Sequence, residues 1–209
     1  MLTILFRPFE ESGMREDALT DEALVDAARD GSEDAFRTLV ERYEGRVASV
    51  VIRMLGNTPE AEDAGQETFI RFYRGLHGFR GQASVGTYLT RIAINLSLTE
   101  LRIRRRRSIF VPFTPPGREH DAPELEYADP AASAEYDDTA DRIQAALNRL
   151  KPEFRSVIVL RLIEGYSTKE TAEILGLPVG TVLSRLRRSQ EKLKRMLISS
   201  NRELVHETV

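Results

Sequence analysis

The sequence predicts an all-α protein of two small helical domains joined by an acidic, proline-rich linker, and three observations lead there. Apolar residues recur at three- and four-residue steps in two separate stretches, the period of helices with one buried face. Between those stretches the period is broken by Pro112, Pro115, Pro116, Pro123 and Pro130. Nothing in the first half alternates with period two, the mark of a half-buried strand. A chain of 209 residues with 41% hydrophobic content has enough apolar surface for one ordinary core or two small ones.

The first domain is expected over residues 21–107, behind an N-terminal tail over 1–20. Thr20-Asp21 opens its first helix. Phe36, Leu39, Val40, Tyr43, Val47, Val50, Val51 and Met54 then define a long core helix, with Ser32 to cap its start after the Asp30-Gly31 turn and Gly56-Asn57 to end it. Thr58-Pro59 supplies an N-cap and a first-turn proline for the next helix, in which Phe69, Phe72, Tyr73 and Leu76 form a core stripe. After a loop holding Gly75, Gly78 and Gly81, a further helical pattern runs through Val85, Tyr88, Leu89, Ile92, Ala93 and Leu96.

The linker is expected over 108–139 and the second domain over 140–199, with a C-terminal tail over 200–209. Helical period returns at Ile143, Ala146, Leu147 and Leu150, then at Phe154, Val157, Ile158 and Leu162 behind Pro152. Ser167-Thr168-Lys169-Glu170 is a capping-box arrangement that starts a helix. Ala172 is small where a second helix must cross, Gly176 can end the helix in a left-handed conformation, and Pro178 with Thr181-Val182 opens the next. Together these form a helix-turn-helix pattern. Its second helix buries Val182, Leu186, Leu193 and Leu197 and presents Ser184, Arg185, Arg187, Arg188 and Lys192, which suits a major groove. The plainer reading is a helical hairpin with a basic, solvated face.

A formal charge of −3 does not argue against nucleic acid, because the charges are segregated. Arg102, Arg104, Arg105, Arg106 and Arg107 form one basic block, and Arg185, Arg187, Arg188, Lys192, Lys194 and Arg195 another. From Glu119 to Asp141 there are nine Asp and Glu and no Lys or Arg. No stretch of about 18 apolar residues offers a membrane span, and the apolar start from Leu2 to Phe9 is broken by Arg7 and Pro8, which argues against export. The chain has no cysteine, which removes disulfides and thiol chemistry and fits a reducing cytoplasm.

The run Leu150-Lys151-Pro152-Glu153-Phe154-Arg155, with Leu160-Arg161, Glu164-Gly165, Ala172-Glu173-Ile174-Leu175-Gly176 and Val179-Gly180-Thr181-Val182, resembles region 4 of extracytoplasmic-function sigma factors of RNA polymerase. The resemblance implies that residues Thr181, Ser184, Arg185, Arg187, Arg188 and Lys192 bind the minus-35 promoter element. Leu183 departs from the Lys or Arg usual in the family, so a contact common there is expected to be missing.

The helix begun by Thr58-Pro59 resembles sigma region 2.2 through Glu62-Asp63, Gln66-Glu67-Thr68-Phe69, Arg71 and Phe72-Tyr73. That makes Asp63, Gln66, Glu67 and Arg71 candidates for docking on the clamp helices of the largest polymerase subunit, where the residues alone allow a merely solvated face. Gly65 replaces the apolar residue usual there and costs roughly 1 kcal/mol relative to alanine in a helix. Phe79-Arg80-Gly81, Gly86-Thr87-Tyr88-Leu89, Arg91-Ile92-Ala93, Asn95 and the first arginine block resemble regions 2.3 and 2.4. The implied minus-ten contacts are Arg80, Tyr88, Arg91, Asn95, Arg102, Arg104, Arg105 and Arg106. An amide such as Asn95 can read an extruded base, and cations can hold the backbone of melted DNA. Tyr88 suits core packing as well as base contact.

The resemblance further implies core polymerase as partner, through the clamp of the largest subunit and the flap of the second-largest, together with promoter DNA and an anti-sigma factor. It implies a linker that occupies the polymerase's nucleic-acid path as an acidic mimic, although a passive tether fits the residues too. A stand-alone helix-turn-helix regulator would explain residues 150–197 and leave Asp63 to Arg107 without a role. An enzyme is not expected. His77, His120 and His206 are scattered, no glycine loop cradles phosphate, and neither metal nor cofactor has a plausible ligand set. Met14 is the expected natural start, since Glu10-Glu11 must be encoded by a purine run resembling a ribosome-binding site; the alternative has Leu2, Ile4, Leu5 and Phe9 packing on the first domain.

Overall fold

The computed structural model describes residues 19–109 and 139–206; the linker expectations and the Met14 start lie outside the described residues. The elements are α1 (Asp21–Arg29), α2 (Glu33–Leu55), α3 (Pro59–Gly75), a single 3-10 turn (Leu76–Gly78), α4 (Val85–Ile109), α5 (Thr139–Asn148), α6 (Pro152–Ile158), a π turn (Val159–Ile163), α7 (Thr168–Leu175) and α8 (Val179–His206). There is no strand among the described residues, and no helix among them is long and apolar enough to cross a membrane.

Caps fix the helix starts where the sequence places them. The Ser32 hydroxyl accepts from Ala35 N at 3.2 Å, the Thr20 hydroxyl from Ala23 N at 3.3 Å and the Thr58 hydroxyl from Ala61 N at 3.4 Å. Each satisfies one of the amides that a helix N-terminus leaves without a partner. The α2 face at Leu39, Val47, Val50, Val51 and Met54 is buried against α3 and α4, along with Phe72, Leu76, Leu89, Ala93 and Ile94. Of the predicted stripe on α3, Phe69 is half-buried against the core, but Tyr73 is 52% exposed, edge-on to Phe36 with ring centroids 4.8 Å apart. Burial, together with the hydrogen bond it donates to Asp21, pushes the Tyr43 hydroxyl up to about 12.

Close packing of α4 on α2 depends on one glycine. A Cβ on Gly86 would lie 2.7 Å from Arg46 Nη1 and 2.9 Å from Tyr43 Cε1. In the second domain, α6 continues into the π turn, where Glu164 N donates to Val159 O at 2.9 Å. That extra residue per turn rotates the face, which is why Leu162, assigned by period to the apolar side, is 51% exposed. Likewise α8 runs on to His206, into the stretch expected as a tail.

The two domains are docked. Val159, Leu160, Tyr166 and Ile174 of the second domain join the core of the first. Tyr166 OH shares a 2.9 Å hydrogen bond with Thr90 Oγ1, and Ser49 Oγ donates to Glu164 Oε1 at 2.7 Å. The C-terminus of α2 is the polar centre of the dock. Gln144 Nε2 donates to Ile52 O at 3.1 Å and Arg53 O at 3.4 Å, Arg155 to Met54 O, and Arg104 Nη1 to Leu55 O at 3.2 Å. The last four carbonyls of a helix have no intrahelical partner and carry its negative dipole end. Here three side chains cap all four, and two of those side chains come from the other domain.

Candidate nucleic-acid interface

The helix-turn-helix is built from α7 and α8. Ser167 Oγ accepts from Glu170 N at 3.2 Å while Glu170 Oε2 accepts from Ser167 N at 2.8 Å, the reciprocal box that the sequence predicts. Those hydrogen bonds to Ser167 hold the Glu170 carboxyl below the usual carboxylate range. Gly176 closes α7 at φ 63°, a left-handed conformation that a side chain resists. Val182 is fully buried against Val157 and Ala172 with Leu186 beside it, and Leu193 packs further along against Leu147, Leu150 and Ile158, so the rotation of α8 about its axis is fixed.

That rotation sorts the six minus-35 candidates. Ser184, Arg187 and Arg188 are exposed, with the Arg187 side chain at 85% and paired with Glu191 at 3.1 Å. Thr181, Arg185 and Lys192 are half-buried on one flank, where the Lys192 ammonium lies over the Phe154 ring at 5.1 Å. The face turned away from the protein therefore carries Ser184, Arg187 and Arg188.

On α4 the minus-ten candidates divide in the same way. Tyr88, Arg91, Asn95, Arg102 and Arg105 fall at three-, four- and seven-residue steps, one face of a straight helix. This face begins at an aromatic cluster, with the Tyr88 ring 5.2 Å from Phe79 and 6.0 Å from Phe72, so Tyr88 is half core and half surface. Asn95, Arg102, Arg105 and Arg106 are exposed, as is Arg80 in the preceding loop. Arg91 is half-buried, and its Nε is buried without a hydrogen-bond partner among the described residues. Arg104 points the other way. It bonds Leu55 O, Thr58 Oγ1 at 2.9 Å and Glu60 Oε2 at 2.9 Å, a structural role that the run of arginines in the sequence conceals.

The third surface is the outer side of α3. Asp63, Gln66 and Arg71 are exposed, and Glu67 pairs with Arg71 at 2.8 Å. Ile70, 43% exposed, lies in the same row as Asp63, Gln66 and Arg74. Sequence reasoning missed it, although counting three and four residues from Asp63 and Gln66 would have placed this apolar side chain on the polar side. Also missed were Gln144, Arg155 and Tyr166, each of which bonds a partner more than 75 residues away in the chain.

The chain matches known families over both domains. Residues 39–107 match the family described as Sigma-70 region 2 and residues 140–193 that described as Sigma-70, region 4. The ECF RNA polymerase sigma-E factor of Haemophilus influenzae is 33% identical over 84% of this chain and 94% of its own length. The ECF RNA polymerase sigma factor SigW of Bacillus subtilis is 34% identical over 83% and 94%. Among solved structures, CnrH in complex with the cytosolic domain of CnrY is 27% identical, with TM-score 0.61 over 86% of this chain and 97% of that one. The sigma factor RpoE in complex with the anti-sigma factor NepR from Bartonella quintana, 22% identical over 78% and 96%, shares the fold at TM-score 0.59. With helix-turn-helix, basic α4 face and relatives all in agreement, the chain belongs to the ECF sigma factors of bacterial RNA polymerase.

Proposed function

We infer that the protein is a promoter-specificity factor: it joins core RNA polymerase, brings it to promoters through the minus-35 and minus-ten elements, and promotes melting of the DNA. It is not an enzyme; the polymerase performs the chemistry. The observation that carries this reading is the pairing of two basic faces on one chain, Ser184-Arg187-Arg188 on α8 and Asn95-Arg102-Arg105-Arg106 on α4. We assign the first to the minus-35 duplex, with arginine able to donate two hydrogen bonds to guanine. The second, beginning beside the Tyr88 cluster, is assigned to the melted minus-ten strand, where stacking and cations replace duplex contacts. Asp63, Gln66, Glu67, Ile70 and Arg71 are assigned to the clamp of the largest polymerase subunit, and the second domain to the flap of the second-largest.

Geometry adds a requirement. The elements are about 25 base pairs apart, roughly 85 Å at ~3.4 Å per step, whereas a compact body of about 160 residues has a radius of gyration of roughly 15 Å. Core polymerase must therefore part the two domains. The acidic stretch from Glu119 to Asp141 suits a path built for a polyanion. By the example of CnrH, solved in complex with the cytosolic domain of CnrY, a protein partner of the anti-sigma kind that the family resemblance implies is also assigned. The place of action is the cytoplasm.

Promoter binding measured with and without core polymerase tests the reading. Tight, sequence-selective binding should require the core enzyme. Equally tight binding of duplex by the chain alone would instead indicate a stand-alone regulator.

A further inference from the structure

We propose that Leu183 is a specificity residue that reads the C5-methyl group of a thymine in the minus-35 element; the proposal rests on the DNA-binding role assigned to α8. The family resemblance implies only that the cation usual at this position is missing. The structure shows what stands there instead. Leu183 is 52% exposed, and Val179, one turn earlier, is 46% exposed. At about 3.6 residues per turn, Val179, Leu183 and Arg187 form one row along the outer face of α8, and Gly180, Ser184 and Arg188 form the row beside it. Two apolar side chains thus lie at the N-terminal end of the recognition helix, within a surface otherwise made of hydroxyl, guanidinium and bare backbone. A Cβ on Gly180 would meet nothing within 4 Å, so the adjoining row offers no steric bar to a close approach.

The N-terminal residues of a recognition helix are those that meet base edges. In the major groove three of the four bases present only donors and acceptors, and the one apolar group is the thymine methyl. A leucine there makes no hydrogen bond and leaves an unpaired base-edge donor or acceptor when it covers another base, which disfavours that base. Arg187 and Arg188, one turn further on, supply the charge complementarity that identifies the occupant of this face as DNA rather than an apolar protein groove. Leu183 and Val179 make no contribution to the core: the buried side of α8 is formed by Val182, Leu186, Ser189 and Leu193. Their exposure is therefore open to use in recognition.

The test uses holoenzyme made with full-length chain and core polymerase, and a promoter recovered with it from a randomised library. Each thymine of the minus-35 element is replaced in turn by deoxyuridine, which lacks only the methyl. At one position the wild-type holoenzyme should lose about fourfold in affinity, the factor for withdrawing ~0.8 kcal/mol of methyl burial. Holoenzyme carrying Leu183→Ala should bind the thymine and deoxyuridine promoters equally, with circular dichroism of the variant chain unchanged. Indifference of the wild type at every thymine, or the same loss in Leu183→Ala, would overturn the proposal while leaving promoter recognition in place. Failure of the holoenzyme to recover any promoter would instead remove the reading on which the proposal rests.

Discussion

The C-terminus of α2 and the outer rows of α8 are both rich in arginine contacts or arginine side chains, yet they are opposite kinds of surface. At the α2 terminus every exposed-end carbonyl from Ile52 to Leu55 is met by Gln144, Arg155 or Arg104. On α8, Ser184, Arg187 and Arg188 face outward with one Arg187–Glu191 pair between them. A buried polar group must be satisfied within the protein, whereas an exposed cation can wait for a polyanion. The difference teaches how to divide basic residues in such a chain: those that cap helix ends hold the fold and the dock, and those left outward are available to DNA.

The sharpest way to break the contrast is at Arg155, which is fully buried and donates to Met54 O, Asn148 O and Leu150 O. Arg155→Met should cost at least about 3 kcal/mol, because stranded buried carbonyls cost ~1 to 3 kcal/mol each. Urea unfolding followed by circular dichroism measures this, and a loss under about 1 kcal/mol would show that the carbonyls find other partners. By contrast, Arg187→Ala with Arg188→Ala should leave the unfolding midpoint unchanged. The same double variant should weaken promoter binding by holoenzyme and reduce the slope of log affinity against log salt by about 1 per lost phosphate contact. An unchanged slope would remove both residues from the DNA face.

The dock itself can be loosened without emptying a core. Ser49→Ala, Gln144→Ala and Glu164→Ala together remove the Ser49–Glu164 and Gln144–carbonyl contacts. Small-angle scattering of the free chain should then report a larger radius of gyration, since each lost hydrogen bond is worth about 0.5 to 1.5 kcal/mol. An unchanged radius would assign the dock to the contacts that remain, Arg155 with Met54, Tyr166 with Thr90 and the apolar side chains of Val159, Leu160 and Ile174.

Two glycines give the smallest effects, with opposite signs. Gly65→Ala should stabilise by up to about 1 kcal/mol, because a Cβ there meets only Val51 Cγ2 at an ordinary 3.9 Å. Gly86→Ala should destabilise by about 1 to 3 kcal/mol, as the Tyr43 ring must move. Thermal melts of both variants would settle the pair.

These residues also mark what was legible in the sequence. Caps are local, so Ser32, Thr58, the Ser167–Glu170 box and the Gly176 stop could be read from spacing. Helical period alone separates Arg104 from Arg102 and Arg105, but not its engagement with Leu55, Thr58 and Glu60, since those contacts join residues more than 40 apart. The π turn was not legible, because no composition signals an extra residue in a turn, and with it went the exposure of Leu162. Docking of the second domain on α2 was hidden for the same reason as Arg104: its partners are distant in sequence and its donors are ordinary polar residues.

The most direct test of the functional account is transcription reconstituted from purified core polymerase, this chain and a promoter library. Discrete transcripts should appear only when the chain is added, from promoters sharing a minus-35 and a minus-ten element, and should be lost when Asp63 and Glu67 are both replaced by Arg in a chain whose circular dichroism is unchanged. Absence of chain-dependent transcripts, or their persistence with the charge-reversed chain, would contradict it.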